Sequence, residues 1–188
     1  MNIRYFRNDP VKIGDIICVR DGKSFVARGI QWFLRIYKRK KNIEAVPNYH
    51  HNGIIVEVWG RLFVAEAAER GFKLTPLSEA YDEYSWLNRI DIITPNMPYT
   101  EEEKKKICEK ATFYNMKITR YDFLNFLFQI YLILFGKWIG PKGQKAENRF
   151  YCSEAVATIT NYIRPGTFPN PAATNPVDVA INPEFHLL

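Results

Sequence analysis

Cysteine and histidine are scarce in this sequence, three of each among 188 residues. Cys18, Cys108 and Cys152 are an odd number with no CxxC pair, which argues against both a disulfide framework and a zinc knuckle. The histidines and cysteines lack ligand spacing, so neither a metal nor an organic cofactor is indicated. The opening residues lack the apolar stretch of a secretory signal, and a reducing, cytoplasmic setting is the default expectation. Long apolar runs are missing as well. The longest uninterrupted one, Ile130 to Phe135, falls well short of the about 18 residues that suggest a membrane span. No internal repeat or linker divides the chain, and residues 1–188 are expected to form one domain.

Acidic residues are absent from one segment that supplies much of the net charge of +6: Arg28, Arg35, Lys38, Arg39, Lys40 and Lys41. These cations end a predicted helix in which Val26, Ile30, Phe33 and Tyr37 share a face behind a Ser24 cap. A solvated helix end is the plain reading of the patch, and it suits the negative end of the helix dipole. Contact with an anionic surface or membrane through Arg35, Lys38, Arg39, Lys40 and Lys41 is the alternative. No DNA- or RNA-binding motif accompanies them, so specific nucleic-acid binding is not expected.

Against this background Cys152 stands out. Ala155, Val156, Ile159, Tyr162 and Ile163 repeat at helical spacing and stop at Pro165-Gly166, which starts a helix near Cys152. A thiol there faces unpaired N–H groups and the positive end of the helix dipole, conditions that lower its pKa, above all beside a histidine. Cys18, in the apolar run Ile16 to Val19, and Cys108, on a helix opened by the capping box Thr100-Glu101-Glu102-Glu103, read as packing residues.

The segment from Tyr49 to Ala68 supplies a histidine. Ile54 to Val58 and Leu62 to Ala65 are strand-like, with a turn at Trp59-Gly60-Arg61. A two-residue turn at either Trp59-Gly60 or Gly60-Arg61 makes paired positions sum to an odd number. His51 and Glu66 then share a face, and in the first register they are diagonal neighbours roughly 7 to 8 Å apart by backbone. By the same parity His50 and Glu69 point to the other face. A further strand is predicted at Asn88 to Ile93.

Residues 119 to 138 carry a narrow polar stripe, Asp122, Asn125, Gln129 and Gly136, on an otherwise apolar helix. Core burial is the default for such a helix, with a substrate wall or a surface for a membrane or partner as alternatives. The glycine- and lysine-rich stretch from Gly136 to Asn148 reads as a mobile loop. The proline-rich end keeps Phe168, Val177, Val179, Ile181 and Phe185, and is expected to be an ordered tail.

Taken in order, Gly14-Asp15-Ile16-Ile17, Ile30-Gln31-Trp32, His51-Asn52-Gly53-Ile54-Ile55-Val56, Val64-Ala65-Glu66-Ala67, Tyr121-Asp122-Phe123, Tyr151-Cys152-Ser153-Glu154 and Asn175-Pro176-Val177-Asp178-Val179 resemble the YiiX-like branch of the NlpC superfamily. The resemblance implies an α+β, circularly permuted papain-like (NlpC-type) fold with an antiparallel sheet packed against helices. It implies Cys152 as nucleophile, His51 as general base and acid, and Glu66 as the group that orients the imidazole. The backbone N–H of Cys152 would be one oxyanion donor. The implied activity is that of a cysteine amidase or peptidase on a small peptide or cell-wall amide. A lipid-directed thioesterase or acyltransferase of the lecithin:retinol acyltransferase type is the alternative, and a non-catalytic binding module on the same fold is a third reading.

Overall fold

The computed structural model describes residues 11–20, 22, 25–44, 46–80, 90–117, 119–140 and 149–188. The Ser24 cap, residues 88 and 89 of the predicted strand, and most of the glycine-lysine loop lie outside these. The sheet begins with β1 (Ile16–Arg20), followed by helix α1 (Phe25–Lys41) and then β2 (Tyr49–Val58), β3 (Arg61–Ala68), β4 (Gly71–Pro76) and β5 (Ile90–Pro95). Helix α2 (Glu101–Met116), β6 (Arg120–Tyr121), α3 (Phe123–Phe135), β7 (Arg149–Phe150) and α4 (Cys152–Ile163) come next. A 3-10 turn at Pro171–Ala173, α5 (Pro176–Ala180) and β8 (Phe185–Leu187) close the chain. Six strands form one antiparallel sheet in the order β4-β3-β2-β1-β5-β8, while β6 and β7 make a small parallel pair.

The β2–β3 hairpin turns at Trp59-Gly60, because Val58 pairs with Arg61. Both turn residues have positive φ, 51° and 71°, the signature of the tight turn whose twist matches the strands it joins. This is the register that makes His51 and Glu66 diagonal neighbours. Gly53 lies between them for a steric reason: a Cβ there would meet Val64 Cγ1 at 2.4 Å and Glu66 Cβ at 3.3 Å.

Alternating residues divide the core in two. Ile54, Val56, Ala65 and Ala67 pack with Ile107, Ala111 and Tyr114 of α2 and with Ala155, Val156 and Ile159 of α4. Ile17, Val19, Ile55, Val64, Ile90 and Ile92 form a second cluster with Leu77 and Ala80. Helix α2 starts with the Thr100 and Glu103 capping box, and Cys108 packs against the first cluster with the Glu57 N–H donating to its sulfur at 3.3 Å. The tail is ordered: Phe168, Val177, Val179 and Phe185 are buried, and Asn175 caps α5 through a second capping box.

Helix α3 corrects the expectation of core burial. Its buried residues are Asn125, Gln129 and Ile133, so the polar stripe faces inward, while Phe123, Leu124, Leu127, Leu134 and Phe135 are exposed. Buried carbonyls reward this orientation, since Asn125 and Gln129 both donate to Ala172 O, at 3.3 and 3.2 Å. Packing beside α1 buries Ile133 with Leu34 and Val177.

Candidate active site

Cys152 is the first residue of α4, delivered by the short strand β7 and held by its neighbour Tyr151. The buried Tyr151 hydroxyl accepts from Gln129 Nε2 at 2.5 Å and lies 2.6 Å from Thr174 O and 3.0 Å from Ala172 O. Asp122 N–H donates to Phe150 O at 3.0 Å, which ties the entry of α3 to the same strand. These contacts fix where the helix, and with it the sulfur, begins.

His51 sits near the start of β2. Its Nε2 lies 2.6 Å from Glu66 Oε2, leaving Nδ1 for the Cys152 sulfur, with which the imidazole is hydrogen-bonded. Glu66 is fully buried, and its other oxygen accepts from Thr75 Oγ1 at 2.7 Å and from Lys73 Nζ at 3.1 Å. The structure therefore brings Cys152, His51 and Glu66 into one hydrogen-bonded chain.

Each group's proton affinity reflects a contest between burial and neighbours. Burial opposes ionisation of Cys152, yet the hydrogen bond and charge of His51, with the backbone N–H groups of Asn52 and Ser153, bring its pKa below the ordinary value. Burial likewise opposes the charged imidazole, but the Cys152 thiolate and the Glu66 carboxylate outweigh it and raise the pKa of His51. Glu66, desolvated but held by His51, Thr75 and Lys73, is lowered to about 2. Both shifts favour the thiolate–imidazolium form of the pair. The other two thiols go the opposite way: burial pushes both Cys18 and Cys108 up.

A second carboxyl lies close by. Glu154, two residues after Cys152 and hydrogen-bonded to Asn125, is raised to about 8 by burial, and its buried Oε2 has no hydrogen-bond partner among the described residues. Held neutral, it sets no second negative charge beside the thiolate.

Cys152 lines an apolar cleft. Ile30, Phe33 and Leu34 of α1 form one wall, Phe126, Ile130 and Ile133 of α3 the other, and Tyr121, His50 and Cys152 also line it. His50 departs from simple alternation. The β1–β2 register pairs Val19 with His51 but Arg20 with Tyr49, so His50 is an extra residue in a bulge. Bulges re-aim side chains, and His50 lines the cleft with its Nδ1 3.5 Å from Gln31 Nε2.

Two supports of the site were missed in the sequence, Thr75 and Lys73 of β4. The alternation of Phe72 and Leu74 after Arg70-Gly71 carries the signal that finds that strand. The Asn52 N–H was missed as well, and a backbone donor leaves no mark in a sequence. Of the cationic patch, Lys38 bonds Val46 O and Asn48, and Lys40 donates to Ile133 O and Leu134 O at the end of α3, at 3.0 and 2.5 Å. Among the described residues no group of three or more His, Cys, Asp or Glu side chains is placed to hold a metal ion.

No protein-family model and no curated relative matches the sequence. Among solved structures, the fold is similar to the crystal structure of metalloprotein yiiX from Escherichia coli O157:H7, with a TM-score of 0.55 and 18% sequence identity over 94% of this chain and 96% of that one. The chain has a YiiX-like fold. The likeness runs through nearly the whole of both chains. At this level of identity the YiiX-like architecture is what the two proteins share.

Proposed function

We propose that this chain is a cysteine hydrolase of the circularly permuted papain-like (NlpC-type) kind, with Cys152 as nucleophile, His51 as base and acid, and Glu66 as orienter. The observation that carries this reading is the continuous chain from sulfur to imidazole to buried carboxylate at a helix start. The thiolate attacks a carbonyl carbon, and negative charge moves onto the carbonyl oxygen. As the first helical residue, Cys152 has a backbone N–H with no intrahelical acceptor, and it stabilises that charge together with the helix dipole. The His51 imidazolium then protonates the departing amine or alkoxide as its bond to carbon breaks, leaving a thioester on Cys152. Neutral His51 next takes a proton from water, hydroxide adds to the thioester, and the sulfur leaves as the acid is released. Throughout, Glu66 fixes the ring orientation and favours its charged form.

An amide in a small peptide or cell-wall fragment is the first substrate class. The apolar cleft favours a second, a lipid ester or thioester, because its walls offer an acyl chain contact and an amide backbone few partners. The yiiX protein is described as a metalloprotein. The residues here do not fit a metal at this site: Nε2 of His51 lies 2.6 Å from Glu66 Oε2 and the same ring is hydrogen-bonded to Cys152, so no step is routed through one.

Mixing the protein with p-nitrophenyl acetate tests the reading. A burst of p-nitrophenol with an acetyl group mapped to Cys152, absent in Cys152→Ala, is expected. A burst unchanged in Cys152→Ala, or none in the wild type, overturns it.

A further inference from the structure

Helix α3 is built inside out. Its polar residues Asn125 and Gln129 are buried, while Phe123, Leu127 and Phe135 are 61%, 57% and 68% exposed. The helix carries no charged side chain at all. Water penalises such a face, so a surface of this kind marks something that covers it. Neighbouring α1 has no acidic residue, and its exposed side is a stripe at helical spacing: Arg28, Trp32, Arg35 and Arg39. Lys40 joins the two elements by donating to the last carbonyls of α3.

We infer that the α1–α3 pair docks on an anionic lipid bilayer, with α3 lying in the interface and the arginine stripe of α1 meeting the headgroups. Charge decides among occupants. An apolar helix beside an acid-free row of arginines and a tryptophan matches the interface of a negatively charged leaflet. A second copy that met this face with its own α1 would set one arginine stripe against another. A span across the bilayer is not the geometry either, since no helix among the described residues is long and apolar enough to cross one. The thirteen residues of α3 extend about 20 Å, a length suited to lying flat.

The cleft that Cys152 lines has walls from these same two helices, so docking sets it at the membrane surface. A bilayer-borne acyl ester or thioester is then the substrate class presented to the sulfur. That last step rests on the cysteine-hydrolase reading, whereas docking does not.

Flotation of the full chain with vesicles tests docking. Wild type and Cys152→Ala are expected to float equally with an equimolar mix of phosphatidylcholine and phosphatidylglycerol, and much less with phosphatidylcholine alone. Leu127→Glu should cut binding at least tenfold. Arg35→Glu/Arg39→Glu should cut it further, since each cation near the surface contributes roughly fivefold. Unchanged circular dichroism and unchanged alkylation of Cys152 in these variants exclude misfolding. No flotation on anionic vesicles, or a dimer that Leu127→Glu dissociates, overturns the proposal. Flotation of a wild type that gives no p-nitrophenyl acetate burst leaves docking standing and rejects the hydrolase reading alone.

Discussion

Glu66→Gln isolates the charge of the buried carboxylate while keeping its shape. In the folded chain the pKa of Glu66 is lowered from the ordinary 4.5 to about 2 by His51, Thr75 and Lys73 acting against burial. At about 1.4 kcal/mol for each tenfold change in proton affinity, the folded state favours the carboxylate by about 3 kcal/mol. A carboxylate whose folded pKa lies below its unfolded one adds stability above the unfolded value and loses it as pH falls toward the folded one. The variant should therefore be less stable by about 2 to 3 kcal/mol at neutral pH, a midpoint drop of about 5 to 10 °C for a chain of this size. The gap should close as pH falls from 4.5 to about 2. Without the carboxylate the imidazolium also loses support, so alkylation of Cys152 near pH 6 should slow by about tenfold or more. Urea denaturation across this pH range, with iodoacetamide kinetics on the same samples, reads both effects. A stability gap that is the same at low and neutral pH, or alkylation as fast as in wild type, refutes the reasoning.

Glu154→Gln should do the reverse. Its folded pKa is raised to about 8, so folding at neutral pH takes up a proton that glutamine does not need. The variant should gain about 2 to 3 kcal/mol at neutral pH in urea denaturation, and the gain should shrink as pH falls toward the unfolded value near 4.5. Gly53→Ala should lose about 1 to 3 kcal/mol, because its methyl group has Val64 Cγ1 within 2.4 Å and must part β2 from β3. The same variant should slow alkylation of Cys152 by moving His51 from Glu66. His51→Ala should abolish the acetyl-enzyme burst and bring the alkylation rate of Cys152 at pH 6 down to that of Cys108.

Strand pairing made the centre of the site legible. A period of two and a two-residue turn leave few choices, and Trp59-Gly60 selects the register that sets Glu66 diagonal to His51. The start of α4 was equally plain, because Pro165-Gly166 and the spacing from Ala155 to Ile163 bound it. Orientation was harder to read. The stripe of Asn125 and Gln129 marks one face of α3 whether that face looks in or out, and the Ala172 carbonyl and Tyr151 hydroxyl, distant in sequence, turn it inward. The bulge at His50 left no mark in the sequence, since one inserted residue in the β1–β2 pairing needs no special residue type. The state of Glu154 depends on its burial, against which the Asn125 hydrogen bond acts, a tertiary property with no local signature.

The thiolate–imidazolium pair is the centre of the proposed mechanism, and the pH profile of Cys152 alkylation reads it most directly. Iodoacetamide rates at Cys152, Cys18 and Cys108, resolved by peptide mapping from about pH 4 to about pH 9, should show Cys152 half-reactive well below the ordinary thiol value of about 8.5, with the other two lagging. In His51→Ala that advantage should vanish. A Cys152 profile centred at or above the ordinary value, or one indifferent to His51, would contradict the ion pair and the nucleophile built on it.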